Sequence, residues 1–282
     1  ARLATAADPT SIAIGNDSKA LAVNTTAIGE SALANGINSS SYGGQSQATG
    51  NNSTAMGQNS QATQESTTAL GRNAEATAIR TTALGVSSEA SGVEATATGF
   101  ETTASGAYAT TSGSRAIASG NGSTASGAQS EAIADFTTAV GYDSLASAVN
   151  STATGSNSQA TGNNSTAIGQ NSQATQENAT ALGRGAIANG VNSLAVGASN
   201  KSLADGTISV GSNNNVSAIG SSAFGNNNVI NSADTFVLGS NVNNSGQVDG
   251  FGNAIPISNT VTNSVYLGNN TVATAGNTVG TQ

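Results

Sequence analysis

A glycine recurs at every fourteenth position along most of this chain. The 17 glycines, with no slip between them, are Gly15, Gly29, Gly43, Gly57, Gly71, Gly85, Gly99, Gly113, Gly127, Gly141, Gly155, Gly169, Gly183, Gly197, Gly211, Gly225 and Gly239. A fixed period of this length is typical of a solenoid, in which each repeat stacks on its neighbours and none forms a core alone. Residues 46–72 and 158–184 match at 24 of 27 positions and lie eight periods apart. Such a block can be duplicated because repeats contact only their neighbours.

Each 14-residue unit has two halves of the form [ST]-x-A-x-G, for example 25–29 and 46–50, each followed by two linker residues. Small residues at every second position indicate strands, and the Gly/Asn-rich linkers indicate turns. One unit therefore predicts strand, turn, strand, turn, with parallel stacking from unit to unit. Alanines at 14-residue intervals from Ala20 to Ala188 are expected to face the interior. Methyl groups bury little area, so one chain alone is expected to be weakly stable.

The outward positions differ between the two strands. The second strand carries a Gln/Glu row (for example Gln47 and Glu75) beside a Thr/Ser row, which predicts a hydrated face. The first strand carries a Thr row beside an apolar row, broken only by Thr98, Ser112, Ser126 and Thr154. The apolar row consists of Ile14, Ile28, Tyr42, Met56, Leu70, Leu84, Val140, Ile168, Leu182, Val196, Val210, Phe224 and Leu238. An outward apolar row of this length indicates association, so we interpret it, Tyr42 apart, as the core of a homo-oligomer.

Four aromatic residues, Phe100, Tyr108, Phe136 and Tyr142, lie in turns near the polar interruption of the apolar row. They have two interpretations. They pack at subunit corners and compensate for the missing apolar residues, or they form an exposed adhesive patch.

Composition excludes several classes of function. The chain has no His and no Cys, and charged residues make up only 8%. A Ser-His-Asp arrangement, a Cys nucleophile and the familiar zinc ligand sets are therefore absent, and we expect no enzyme, catalytic residue, metal site or cofactor. The net charge of −8 and the lack of a basic patch argue against nucleic acid. No apolar run is long enough to form a membrane-spanning helix, so we expect no membrane contact.

The register breaks after Gly239, because the next strand-ending glycine is Gly268, one residue beyond two periods. This predicts a solenoid over 1–239, an insertion or saddle-like excursion over 240–262, and a final strand with the start of a connector over 263–282.

The strands "STAIG", "TTALG" and "NSLAVG", with "SxAxG" segments between them and "NSVYLGNNT" near the end, resemble the YadA-like head repeats of trimeric autotransporter adhesins. The resemblance implies a left-handed parallel β-roll of 14-residue coils, assembled as a homotrimer on the outer membrane of a Gram-negative bacterium. It implies attachment to extracellular matrix proteins, other cells or abiotic surfaces. Because a stalk and an anchor are not seen, the chain is expected to be a fragment of a longer fibre.

Two further interpretations remain open. The chain could act as a structural spacer that lengthens a surface fibre. It could also bind ice, although ice binding requires flat ranks of Thr, and here the Thr/Ser row lies beside Gln and Glu.

Overall fold

The computed structural model describes residues 3–242, 244–248, 254–256 and 262–271. The chain divides into two compact units, Ala1–Ser147 and Ala148–Gln282. Within each unit, one 14-residue coil contributes a strand to each of two parallel sheets. We call the sheet that carries the apolar row sheet 1, and the sheet that carries the Gln/Glu row sheet 2.

The first unit contains ten strands of sheet 1 and eleven of sheet 2. The strands of sheet 1 are Ile12–Ile14, Thr26–Ile28, Ser40–Tyr42, Thr54–Met56, Thr68–Leu70, Thr82–Leu84, Thr96–Thr98, Thr110–Ser112, Thr124–Ser126 and Thr138–Val140. Those of sheet 2 are Thr5–Ala6, Lys19–Ala20, Leu33–Ala34, Gln47–Ala48, Gln61–Ala62, Glu75–Ala76, Glu89–Ala90, Thr103–Ala104, Ile117–Ala118, Glu131–Ala132 and Leu145–Ala146. Within the sheets, strand residues pair in parallel with their equivalents in the neighbouring coils; Ala69, for example, pairs with Ala55 and Ala83.

The second unit follows the same plan. Its sheet 1 strands are Thr152–Thr154, Thr166–Ile168, Thr180–Leu182, Leu194–Val196, Ile208–Ser212, Ser222–Asn226, Phe236–Leu238 and Val265–Leu267. Its sheet 2 strands are Gln159–Ala160, Gln173–Ala174, Ile187–Ala188, Lys201–Ser202, Asn215–Val216 and Val229–Ile230. The predicted all-β parallel solenoid with 14-residue turns is confirmed. Its handedness stays a prediction.

The turns repeat twice in each coil. From Asp17 to Asn241, every seventh residue has a positive φ near 52–67°. Asn is frequent at these positions because its short polar side chain tolerates the left-handed conformation. The stacked amides also form hydrogen-bond ladders, as in Asn24 Nδ2 to Asn38 Oδ1, 3.1 Å, and Asn38 Nδ2 to Asn52 Oδ1, 3.2 Å.

The periodic glycine follows the third residue of most strands of sheet 1, in a conformation that disfavours other residues. Gly57 has φ +136°, and a Cβ atom there would lie 2.4 Å from the carbonyl oxygen of Gly71 in the next coil. The serine three positions later closes the turn, since Ser60 Oγ donates to Gly57 O at 2.9 Å. The 14-residue glycine period is therefore imposed by the close stacking of coils.

The interior confirms the predicted alternation. The alanines at 14-residue intervals from Ala20 to Ala188 have no exposed surface, and neither do the central strand alanines such as Ala55 and Ala69. In the last coils the interior residues become larger: Val216, Ile230, Val237, Val242 and Tyr266 form one buried cluster with Ala223.

After Leu238 the solenoid register is interrupted and then resumes. Phe236–Leu238 pairs in parallel with Val265–Leu267, which lies more than two periods further along the chain. Between them, Asn244–Val248 and Ala254–Pro256 form an antiparallel pair. Residues 249–253, 257–261 and 272–282, which belong to the predicted excursion and connector, lie outside the described residues, and the three-part division of the chain stays a prediction. Among the residues described, no helix is long and apolar enough to cross a membrane.

Candidate functional site

The apolar row of the first unit lies on the outer face of sheet 1. Met56, Leu70 and Leu84 are in register on adjacent strands, with exposed fractions of 43%, 38% and 39%. The alanine beside each of them is fully buried, so the alternation directs the large side chains away from the core of their own chain. Ile14 and Val140 are also exposed, and Ile28 is half-buried.

In the second unit the apolar row becomes an apolar strip. Ile168, Leu182 and Leu238 are exposed, and Val196, Val210 and Phe224 are half-buried on the same outer positions. The neighbouring Thr row also turns apolar here, with Leu194, Ile208, Phe236 and Val265. The rings of Phe224 and Phe236 lie 5.7 Å apart between centroids and join the two rows. Sequence reasoning treated these rows separately and missed the wider strip, although the apolar residues at 194, 208, 236 and 265 indicated it.

The four aromatic residues lie at the two edges of sheet 1. Phe100 and Tyr142 occupy the turn position directly after the periodic glycine, next to the apolar row. Tyr108 and Phe136 occupy the positive-φ position of the opposite turn, next to the Thr row. All four are exposed, from 45% for Phe100 to 66% for Phe136. They flank the three adjacent coils in which Thr98, Ser112 and Ser126 interrupt the apolar row.

The outer face of sheet 2 is polar in many coils but not in all, because Leu33, Ile117, Leu145 and Ile187 interrupt the Gln/Glu row and the exposed Leu21, Ile133 and Leu203 interrupt the Thr/Ser row. A shallow groove of about 470 Å³ crosses its first coils. Gln45, Gln47, Asn59 and Gln61 line one part of the groove, and Asp17 and Lys19 line another. Ser31 and Leu33 lie between these two parts, so the groove presents side-chain amides in two of its coils.

The ion pairs among the described residues join neighbours within a coil or in adjacent coils. Arg80 pairs with Glu94 and Arg115 pairs with Glu101 one coil away, and Arg115 Cζ also lies 6.0 Å from the centroid of the Phe100 ring. Exposed pairs of this kind contribute between zero and about 1 kcal/mol. Hydrogen bonds from the hydroxyl and the N–H of Thr10 lower the pKa of Asp8. Within the described ranges, no group of three acidic, His or Cys side chains could hold a metal ion.

Two further features were missed by sequence reasoning. Exposed apolar residues recur in the turn that follows sheet 2, at Val23, Ile37, Ile79 and Val93 in the first unit; their 14-residue spacing was the available signal. A buried asparagine ladder also replaces the interior serine in the last coils.

The buried ladder consists of Asn200, Asn214 and Asn228, all fully buried. Asn214 Nδ2 donates to Gly225 O at 2.7 Å, and Asn214 Oδ1 accepts the N–H of Asn228 at 3.0 Å. Each amide therefore joins two coils. The sequence signal was Asn at the third position after Gly197, Gly211 and Gly225, where most earlier coils carry Ser or Ala.

The fold and these surfaces define a parallel β-solenoid with a small-residue interior and an outward apolar row. The family model of the YadA head domain repeat (2 copies) matches overlapping stretches that together cover residues 9–214. Because this is more than half of the 282 residues, the chain belongs to the YadA head family. This is a family of adhesin-type surface proteins and not a known enzyme family. No curated protein matches the chain.

Proposed function

We propose that this chain is the head of a homotrimeric adhesin on the outer membrane of a Gram-negative bacterium, with the left-handed coil of its family. The observation that carries the proposal is the outward apolar row. Large side chains such as Leu70 and Leu84 remain more than a third exposed in the single chain while the interior is filled mainly by Ala, Ser and Thr. A row of this kind requires a partner surface to cover it.

The covering surface in the proposal is the same row of two further chains. A second copy offers the same apolar row at the same 14-residue spacing, so every level of one chain meets an equivalent level of its partners. The proposed trimer core consists of Ile14, Ile28, Met56, Leu70, Leu84, Val140, Ile168, Leu182, Val196, Val210, Phe224 and Leu238. Light scattering on the purified chain tests the assembly: we expect about three times 27.1 kDa, and a stable folded monomer would overturn it.

Attachment would be distributed over the repeated outer faces. The outer face of sheet 2 presents similar amide and hydroxyl groups at successive coils, as at Gln45, Gln47 and Gln61. Three chains would multiply these weak contacts, and linked weak sites gain affinity through effective concentration. This is the physical basis on which the proposed head would bind matrix proteins, cells or abiotic surfaces.

Binding of the purified head to collagen, fibronectin, laminin, polystyrene and glass tests this function. We expect attachment to at least one of them, and single Gln61→Ala or Gln173→Ala changes should leave it nearly unchanged. A tenfold loss from either change would show a single dominant site instead. Attachment to none would favour a spacer that only lengthens a fibre.

Ice binding is the weaker alternative. Along sheet 2 the row beside Thr49 and Thr63 carries Gln47 and Gln61, and its equivalents in other coils are mostly Gln, Glu, Leu or Ile. These long side chains interrupt the flat rank of hydroxyls that an ice-binding face requires. Freezing-point hysteresis of the purified chain distinguishes the two functions, since an adhesin head should show none.

A further inference from the structure

Two bulky aromatic residues occupy turn positions that disfavour them. Tyr108 and Phe136 have φ of 60° and 58°, in the row of turns where other coils place Asn24, Asn38 and Asn52. A large side chain in the left-handed region is a conformational outlier. The same turn row also carries Arg80 and Glu94 at φ 58°, so the repeated turn accepts long side chains, and Tyr108 and Phe136 differ from these by presenting exposed aromatic rings.

The two rings and the glycine between them form a defined platform. Tyr108, Gly122 and Phe136 follow one another at the same turn position, and their stacking is fixed by hydrogen bonds from Gly122 N to Ala107 O and from Phe136 N to Asn121 O, both 2.8 Å. At a spacing of about 4.8 Å per coil, the aromatic positions lie about 10 Å apart.

The Phe136 ring lies over Gly122. A Cβ atom at Gly122 would lie 3.2 Å from Phe136 Cδ1 and 3.4 Å from Phe136 Cε1, so the absence of a side chain at 122 lets the ring pack against the backbone of the preceding coil. The exposed fractions of Tyr108 and Phe136 are 61% and 66%. The platform is therefore two accessible rings on a regular backbone, with the Phe136 ring seated over the glycine between them.

Polar groups border the platform on both sides. Asn121 Oδ1 accepts the N–H of Ala107 at 3.2 Å, and Asp135 Oδ1 accepts the N–H of Asn121 at 2.8 Å. These bonds hold an amide and a carboxylate directly beside the rings. On the other side the row of Thr110, Thr124 and Thr138 supplies half-exposed or exposed hydroxyls.

We propose that the Tyr108–Gly122–Phe136 platform binds a neutral polysaccharide. This proposal rests on the proposed adhesin function and names a ligand class for it. The face of an aromatic ring carries negative charge, so it attracts the positive C–H groups on the face of a sugar ring. The amide, carboxylate and Thr hydroxyls offer hydrogen-bond partners to sugar hydroxyls. Two rings at fixed spacing engage two sugar units of one polymer at once, which increases affinity by linking the contacts.

Charge selects a neutral polymer over an anionic one. Asp135 borders the platform and the whole chain carries a net charge of −8, whereas the charge of Glu94, one coil before Tyr108, is paired with Arg80. Sulfated or carboxylated polymers would meet like charge here, and like-charge juxtaposition opposes binding.

The platform lies apart from the proposed trimer core. The platform is separated from the apolar-row positions by the outward row of Thr110, Thr124 and Thr138. Phe100 and Tyr142 lie at the opposite edge of the sheet, next to the apolar row. Packing of Tyr108 and Phe136 against a partner chain is the competing explanation, and binding and mass measurements on the same variants separate the two.

Retention of the purified head on insoluble cellulose, chitin and starch tests the proposal, with immobilised heparin as the anionic comparison. The main variant is Tyr108→Asn with Phe136→Asn, because Asn occupies equivalent turns elsewhere and relieves the strain, so folding is preserved. Tyr108→Phe with Phe136→Tyr keeps both rings. Gly122→Asn tolerates the positive φ but pushes the Phe136 ring from its place over Gly122. Asn52→Ser, in the same turn row of a distant coil, is the control.

We expect the unchanged head to be retained on at least one neutral polymer and not on heparin. The double Asn variant and Gly122→Asn should each lower retention about tenfold or more, because aromatic anchors dominate such contacts. The ring-preserving variant and Asn52→Ser should bind normally. Retention of the unchanged head on none of the neutral polymers, retention on heparin alone, or equal retention of the double Asn variant would overturn the proposal.

Two parallel measurements distinguish polysaccharide binding from subunit contact and from attachment to another kind of surface. If the double Asn variant loses mass in light scattering, the rings are subunit contacts and the polysaccharide proposal is wrong. If the unchanged head attaches to polystyrene, glass or matrix proteins but to no neutral polysaccharide, the ligand class is wrong while the adhesin function stands. Failure in both assays overturns the proposed function as well.

Discussion

Leu70 and Leu84 are register partners on adjacent parallel strands, and both side chains face away from the core of their own chain, 38% and 39% exposed. Ala69 and Ala83, between the Thr and Leu positions of the same strands, are fully buried. These large apolar side chains therefore contribute little to the interior of the single chain, and in the proposed assembly their stabilising effect lies at a surface shared with another chain.

Replacing Leu70 with Asp tests that placement. In a trimer core the change removes burial worth roughly 1.5–3 kcal/mol per chain, and it confines three like charges in a region of low dielectric constant. We expect dissociation or a clearly lower melting temperature, measured by thermal melting with size-exclusion chromatography. Gln47→Asp is the matched control, since it adds the same charge to the exposed outer face of sheet 2. If both variants melt and elute like the unchanged protein, the apolar row faces water.

Substitution of the periodic glycine should be costly wherever coils stack on it. In Gly57→Ala the new Cβ would meet Gly71 O at 2.4 Å, and the residue must keep φ +136°. Strain of this kind costs about 1–3 kcal/mol per residue. Gly44→Ala is the control, because the nearest atom to its Cβ beyond its chain neighbours is Glu30 O at 3.9 Å, and its φ is not in the left-handed region. Chemical denaturation of both variants should show a loss for Gly57→Ala alone; equal stability would contradict the stacking argument.

Whole coils should be removable, but half coils should not. Deleting residues 130–143 removes one coil and joins Gln129 to Ser144. Because Gln129 and Asp143 are equivalent positive-φ residues in successive coils, Ser144 still follows the same turn position. We expect a folded protein with a melting temperature within about 5 °C of the original.

Deleting residues 130–136 instead would bring Val140 and every later apolar-row residue onto sheet 2. Because the apolar row and the hydrated face then exchange sheets, the proposed trimer surface is broken, and aggregation or unfolding should follow. Circular dichroism and light scattering on the two deletions provide the comparison. Similar behaviour of both would rule out the two-sheet coil as the unit of stability.

The buried asparagine ladder should contribute more than the exposed one. Asn214→Ala leaves Gly225 O and the N–H of Asn228 without their partner in a buried region, at about 1–3 kcal/mol for each unsatisfied group. Asn38→Gly removes a member of the exposed ladder while keeping a residue that accepts φ near 58°, so we expect a change within about 0.5 kcal/mol. Urea unfolding of both measures the difference, and a smaller loss for Asn214→Ala than for Asn38→Gly would contradict it.

Much of this architecture follows from the sequence because the repeat is strict. A 14-residue period with small residues at alternate positions allows only one set of side chains to face the interior. The sequence therefore predicted that Ala20 and its equivalents are buried and that Leu70 and Leu182 point outward. Turn composition also indicated where the chain reverses, since Asn and Gly tolerate positive φ.

Other features were decided by the tertiary structure. Sequence periodicity assigns a residue to a turn, but only the stacked coils show that Tyr108 and Phe136 lie on one edge of sheet 1 and Phe100 and Tyr142 on the other. The close approach of Phe136 to Gly122 and the Asn214 hydrogen bonds depend on distances between residues in adjacent coils. A pattern read along the sequence gives the direction of each side chain; contacts between coils also depend on side-chain conformation and local backbone geometry, which the period does not determine.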